Sequence, residues 1–428
     1  MVKFLWKKQA GMTGRDRRRS REQGKEKEKE QKAKATATGA GKRWSMGLIN
    51  GIRKSGDRKS GERRSGDRKS GGRRSKENKD KGTMKGGAGS AELGKKCVAW
   101  AESLSATGLL EEWEGLEREK DGGRPSADFH KVTAKTRYSA IPCVEKTRVK
   151  LAGYPAGKDF IHANHVDLDT GRKWILTQGP LAETGSDFWA MVWQEKCPAI
   201  VMLCQTREEG RDKCLQYYPE KKGETKKFNL GPGKELAVTS ESVMKDPGFM
   251  KEQQVTLNSL KLKLQGHVQP VLHMQYTTWP DQKVPSFPDA MVPFLEKMET
   301  HVEEQVKKKR VTSERPVLVH CSAGIGRSGT LVLIHSLWRT LLGLAQADAS
   351  GGPGPASDKT TDKSSDKSSD RGAPRGVASV PGLLSSLRQQ RHGAVQTLQQ
   401  YFFIHQAVIA ELKRQRLVPT ELLAPIIP

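Results

Sequence analysis

Little in this chain is suited to crossing a membrane, stapling an extracellular fold or holding a structural metal. No apolar stretch approaches the 18 or so residues that a membrane span requires. The opening MVKFLWKKQAGMTGRDRRRS has no sustained apolar region of the kind a secretory signal needs, and Val2 stands where N-myristoylation needs glycine. Only 6 cysteines occur in 428 residues, at Cys97, Cys143, Cys197, Cys204, Cys214 and Cys321, with no CxxC or other zinc spacing. A disulfide framework and a zinc module are therefore not expected. The cysteines read as buried thiols plus one nucleophile in a reducing compartment, and the chemistry below calls for neither metal nor cofactor.

Acidic residues are scarce at one end. Residues 1 to 95 hold 30 Lys and Arg against 11 Asp and Glu, a net +19 of the chain's +26, which leaves +7 for the other 333 residues. Between Arg53 and Glu77 a five-residue unit recurs as RKSGD, RKSGE, RRSGD, RKSGG and RRSKE. These repeats lack apolar periodicity, so residues 1–94 are expected to form a disordered basic tail. Such a tail suits a spacer, or attraction to an acidic partner, an anionic membrane surface or nucleic acid. Its serines after paired basic residues look like basophilic kinase sites. A second low-complexity stretch, Ala349 to Gly376, separates two helical patterns and reads as a surface insertion.

The chemistry concentrates in HCSAGIGRSGT, His320 to Thr330. Val317, Leu318 and Val319 upstream predict a short buried strand, and Leu331, Ile334, Trp338 and Leu341 downstream recur at helical spacing. Cys321 therefore falls on a strand-to-helix turn. Gly324 and Gly326 allow that turn to curl its backbone N–H groups inward, and the helix adds its positive dipole end. Such a bowl holds a phosphate without a metal. Cations and a helix N-terminus favour a thiolate at Cys321, and Arg327 can grip two phosphoryl oxygens in bidentate fashion.

This segment resembles the phosphate-binding loop of the cysteine-dependent protein tyrosine phosphatases, in their tyrosine-specific receptor and non-receptor branch. The resemblance implies that Cys321 is the nucleophile, that Arg327 binds the phosphoryl group beside the loop residues Ser322, Ala323, Gly324, Ile325 and Gly326, and that Ser328 stabilises the thiolate as it leaves. His320 supports the loop. The stretch TTWPDQKVP resembles the family's closing loop, so Asp281 would be the general acid and Trp279 its support. Lys283 stands there where the family commonly has glycine.

Three further stretches extend the likeness. KTRYSAIPCVEKTRVKL, Lys135 to Leu151, resembles the phosphotyrosine-recognition loop, where Tyr138 would stack on the substrate ring; Ala140 replaces the family's usual aspartate. In CQTREEGRDKCLQYYP, Glu208 matches the carboxylate that orients the arginine and Lys213 the lysine that approaches the closing loop. RQQRHGAVQTLQQYFF matches the family's glutamine loop, so Gln396 would position the hydrolytic water, assisted by Gln400.

Coarse periodicity predicts a helix over Val98–Glu119 with Leu109, Leu110, Trp113 and Leu116 on one face, and another carrying Met291, Leu295, Met298, Val302 and Val306. Trp174 to Lys196 reads as strand, turn and helix; Ala199–Leu203 and Val268–Met274 read as strands. The expected fold is α/β, a twisted mixed sheet flanked by helices, with a phosphatase domain over 95–417 that carries the insertion 349–376 and is followed by a C-terminal tail, 418–428.

The function expected is an intracellular protein tyrosine phosphatase acting on phosphotyrosine-containing proteins, cytoplasmic, with nuclear and membrane-peripheral locations open through the tail. Two alternatives are a phosphotyrosine-binding pseudophosphatase and a polyanion-binding adaptor acting through the tail. Deleting residues 1–90 should leave turnover of a small aryl phosphate nearly unchanged. It should abolish co-sedimentation with anionic vesicles or DNA, which in the full chain should fall steeply from low to physiological salt; equal retention of both proteins at both salt concentrations would reduce the tail to a spacer.

Overall fold

The computed structural model describes residues 88–118, 133–155, 157–245, 254–349 and 379–426. The five-residue repeats, and the insertion beyond Ala349, lie outside the described residues.

Strands with side chains buried on both faces need covering layers, and here they form the middle of a nine-stranded sheet. Its members are β1 (Arg148–Lys150), β2 (Phe160–Asp167), β3 (Lys173–Thr177), β4 (Ala199–Met202), β7 (Thr225–Asn229), β8 (Glu235–Lys245), β9 (Val255–Leu264), β10 (His267–Tyr276) and β11 (Val317–His320). They lie in the order β1-β2-β3-β11-β4-β10-β9-β8-β7. A separate hairpin pairs β5 (Arg207–Glu208) with β6 (Arg211–Asp212). The central strands β3, β11, β4 and β10 run parallel, and the flanking pairs are antiparallel. Every residue of β4 and β11 is buried.

Parallel strands share an end, and that sets where chemistry sits. The C-terminal ends Thr177, Met202, Tyr276 and His320 open on one edge of the sheet, where open α/β sheets place their ligands. The segments that follow them carry Gln178, Glu208, Asp281 and Cys321.

The helices are α1 (Ala88–Glu102), α2 (Ala106–Arg118), α3 (Gly185–Glu195), α4 (Met291–Lys307), α5 (Gly326–Ala349), α6 (Val380–Gln390) and α7 (Leu398–Arg414). α5, which follows Cys321, is the hub against which α1, α4, α6 and α7 pack. Leu331, Val332, Leu333, Ile334 and Leu337 of α5 are fully buried, which fixes the first turn of that helix and hence Arg327.

Three sequence expectations need correction. The helix expected over Val98–Glu119 is two helices, broken at Ser103–Ser105: the Ser103 hydroxyl donates to the Trp100 carbonyl, and Ser105 Oγ accepts from the Gly108 amide at 3.0 Å, starting α2 anew. Leu109, Trp113 and Leu116 are buried as expected, but Leu110 is only half-buried. The tail boundary at residue 94 cuts through α1, which starts at Ala88 because Leu93, Cys97 and Trp100 share one buried face. The stretch 418–426 is no free tail: Val418 is buried, Leu422 and Ala424 pack on the core, and the Pro425 carbonyl accepts from Gln406.

At the sheet edge opposite Cys321, Glu299 of α4 joins Arg172 and His335, accepting from Arg172 Nε at 3.0 Å and from His335 Nε2 at 2.8 Å. Burial opposes its ionisation, yet these partners prevail and hold its carboxyl at about 2. A depressed carboxyl stabilises the fold above its unfolded value and loses that contribution as pH falls through the folded one. Glu299→Gln should therefore cost on the order of 2–3 kcal/mol at neutral pH, and the difference from wild type should shrink below about pH 4.5. Urea unfolding at several pH values checks it; a pH-independent difference would contradict the ion-pair account.

Candidate active site

At the end of β11 the backbone must turn sharply to start α5, and one residue permits it. Gly324 adopts φ +70°, and a side chain there would run into the Thr177 carbonyl of β3. The loop presents the backbone groups that its protein contacts leave free. The Cys321 carbonyl accepts from His320 Nδ1, that of Ser322 from the Gly179 amide at 2.8 Å, and those of Ala323 and Gly324 from the Arg391 guanidinium at 3.0 and 3.1 Å. The Ile325 carbonyl takes the amides of Gly329 and Val395. Five successive carbonyls thus face the protein. The amides of Ser322, Ala323, Ile325, Gly326 and Arg327 meet no protein acceptor among the described residues, and the Gly324 amide points at Cys321 Sγ, 3.2 Å away. This is an anion-binding concavity built from backbone.

Arg327 enters it from the first turn of α5 and is only 1% exposed. Its Nη1 bonds Glu208 Oε1 at 2.7 Å and the Trp279 carbonyl at 3.0 Å; its Nη2 bonds Glu208 Oε2 at 3.1 Å and Asp281 Oδ1 at 3.0 Å. Glu208 reaches it because β5 and β6 are joined by Glu209 and Gly210, both at positive φ, the tight-turn geometry that matches strand twist. Burial disfavours the guanidinium's charge, but the facing Cys321 and Glu208 outweigh it and hold its pKa above the ordinary arginine value. Arg327 Nε and the Ser328 hydroxyl are buried with no partner among the described residues.

Asp281 lies on the loop after β10, bridging Arg327 and Lys213, whose Nζ is 2.6 Å from Oδ2. Burial raises its carboxyl pKa, and the Lys213 hydrogen bond with the Arg327 charge more than reverses this, leaving it below the usual carboxylate value. Trp279 pins the loop from beneath: its indole is buried and donates to the Lys283 carbonyl at 2.9 Å. Tyr138 comes from the other side, its hydroxyl 2.8 Å from Ser322 Oγ. Gln396 abuts Gly326, where a side chain on the glycine would strike its Oε1. Gln400 is fully buried below, joined to the Gln396 amide at 2.9 Å and to the Lys283 carbonyl.

The candidate site residues from the 138, 208–213, 279–281, 320–328 and 396–400 stretches therefore lie together at one edge of the sheet. Others were missed. Arg391 is fully buried and, besides the loop carbonyls, holds Asn164 Oδ1 at 2.8 Å and His162 Nδ1 at 3.1 Å. Arg137 anchors the Tyr138 segment to the carbonyls of Gly179 and Pro180. Behind Cys321, Tyr217 Oη lies 2.7 Å from His320 Nε2 and 2.9 Å from His273 Nε2. Since His320 Nδ1 must donate to the Cys321 carbonyl, a neutral His320 accepts the Tyr217 proton at Nε2, and His273 donates to Tyr217.

Residues 132–348 and 368–410 match the family model described as protein-tyrosine phosphatase. Among curated proteins, the chain is 36% identical over 291 residues to tyrosine-protein phosphatase Lar-like of Caenorhabditis elegans, covering 66% of this chain and 11% of that protein. It is 30% identical over 340 residues to tyrosine-protein phosphatase non-receptor type 9 of Mus musculus, covering 76% of this chain and 50% of the relative. Tyrosine-protein phosphatase 1 of Dictyostelium discoideum is 36% identical over 230 residues, 52% of this chain and 42% of its own length. The chain thus spans from about a tenth to half the length of these relatives.

The Asp281 geometry makes a titration prediction. Lys213→Met removes the strongest of the influences that depress this carboxyl and leaves burial in place, so the Asp281 pKa should rise. A carboxyl NMR titration of both proteins measures it; identical midpoints would mean that Lys213 does not set the charge state.

Proposed function

The chain belongs to the protein-tyrosine phosphatase family, and from that premise we propose that it hydrolyses phosphotyrosine in proteins through a phosphocysteine formed at Cys321. The observation that carries the reading is the loop whose carbonyls 321–325 are all turned outward, leaving amides and one buried guanidinium around a thiol. In the first step Cys321 Sγ attacks phosphorus, the S–P bond forms, and the P–O bond to the tyrosyl oxygen breaks while Asp281 delivers a proton to that oxygen. Water then attacks phosphorus, Asp281 takes its proton, Gln396 orients it, and the thiolate leaves toward the Ser328 hydroxyl. Arg327 and the loop amides bear the phosphoryl charge throughout.

The ion pair between Asp281 and Arg327 gives this scheme its proton control. As described, Asp281 is held ionised by Arg327 and Lys213. A phosphate dianion that takes over Arg327 removes one stabilising partner and adds negative charge, and both changes raise the carboxyl pKa. Substrate binding would itself protonate the acid. Tyrosine selectivity follows from depth: Cys321 is 3% exposed, below Tyr138, so a phenyl spacer reaches where a phosphoserine ester is too short.

Phosphotyrosine-containing proteins are the proposed substrates and the cytoplasm the proposed site of action; no helix among the described residues is long and apolar enough to cross a membrane. Cys321→Ser should abolish turnover while retaining phosphopeptide binding. Asp281→Ala should lose roughly 10² to 10⁴ in turnover of a tyrosyl phosphate and far less with an activated aryl phosphate. Equal losses on both substrates would remove Asp281 as the acid, and a wild-type protein that binds phosphotyrosine peptides but releases no phosphate would make this a binding module.

A further inference from the structure

A cavity of about 740 Å³ opens at the edge of the sheet opposite the phosphate loop. β10 begins in its wall at His267 and runs ten residues, about 33 Å, to Tyr276 just before the Asp281 loop. Part of its lining is apolar: the half-buried Trp193 at the end of α3, and Val268, which is 56% exposed although it is a β-branched strand residue. Its rim is cationic, with Lys196, Lys261 and Arg310. The one carboxylate in the lining, Glu241, is already paired with Lys261 at 2.8 Å.

Lys196 and Arg310 have no carboxylate partner among the described residues; the Arg310 guanidinium meets the neutral Gln305 side chain, at 3.4 Å. Some other surface lysines are neutralised, Lys227 by Glu235 and Lys173 by Glu314. Lys196 is held at the α3 C-terminus in the left-handed region, φ 54°. Two unneutralised cations in the same lining as Trp193 and Val268 are complementary to carboxylates around an apolar side chain.

We propose that this cavity docks an acidic segment of a partner protein, with an apolar residue on Trp193 and Val268 and flanking carboxylates at Lys196 and Arg310. A concave site of this volume admits one or two side chains, whereas a membrane surface needs an exposed convex patch and nucleic acid a stripe of cations at phosphate spacing. The chain's own basic stretch 1–95 is excluded as occupant by its net +19. The site lies a strand's length from Cys321 and stands whether or not the chain turns over phosphotyrosine.

The test reads the site itself, in the full chain: the Trp193 indole N–H resonance is followed while adding a peptide of two leucines flanked by glutamates. The signal should move saturably. Replacing the glutamates with glutamines, the leucines with serines, or the protein's residues as Lys196→Glu with Arg310→Glu should each weaken the effect about tenfold or more. An unchanged melting temperature of the double variant would show that it folds. A resonance that stays fixed at saturating peptide, that responds equally to the glutamine peptide, or that moves as readily with inorganic phosphate or phosphatidylserine vesicles would overturn the proposal.

Discussion

The buried guanidinium of Arg327 is the constraint on which the site depends. A charge only 1% exposed is unsustainable alone, and removing the partner of such a group typically costs 3–5 kcal/mol. Its partners arrive from two separate segments: Glu208 from the β5–β6 hairpin, Asp281 and the Trp279 carbonyl from the loop after β10. One side chain therefore gathers the elements that the sheet's parallel core delivers to a common edge. The same pairing holds Asp281 against Arg327 and keeps its carboxyl below the usual carboxylate value.

A second buried arginine performs the complementary task from below. Arg391 binds outward-turned carbonyls of the phosphate loop on one side and Asn164 and His162 of β2 on the other, so the loop's curvature is anchored to the sheet. Burial lowers its pKa to about 10, still leaving it charged at neutral pH. With one arginine inside the concavity and another holding the loop's back, the loop's curvature is fixed by protein contacts alone.

What the sequence disclosed follows physical locality. The strand Val317–His320, the turn at Gly324 and the apolar face of α5 were legible because periodicity and glycine act over a few residues. Glu208, Lys213 and Gln396 were legible only through resemblance, since an isolated charged or amide residue carries no local signal. Arg391, Arg137 and Tyr217 were not legible: a buried polar residue is defined by partners far along the chain, such as Asn164 for Arg391. The break between α1 and α2 was hidden because Ser103 and Ser105 sit between segments that share one helical period. The packing of 418–426 was hidden because few apolar residues there repeat.

Two departures from the family pattern have local structural readings. Lys283 occupies a position where glycine is common, yet the left-handed residue of this loop is Gln282, φ 57°, and Lys283 contributes its carbonyl to Trp279 and Gln400. No backbone requirement for glycine exists there. Ala140 is exposed and leaves the Tyr138–Ser322 contact in place. The central claim is that phosphorus passes through Cys321. Acid quenching during turnover of a phosphotyrosine peptide by Gln396→Ala, followed by peptide mapping, tests it most directly: phosphate should be found on Cys321, and steady turnover with that cysteine unmodified would contradict the account.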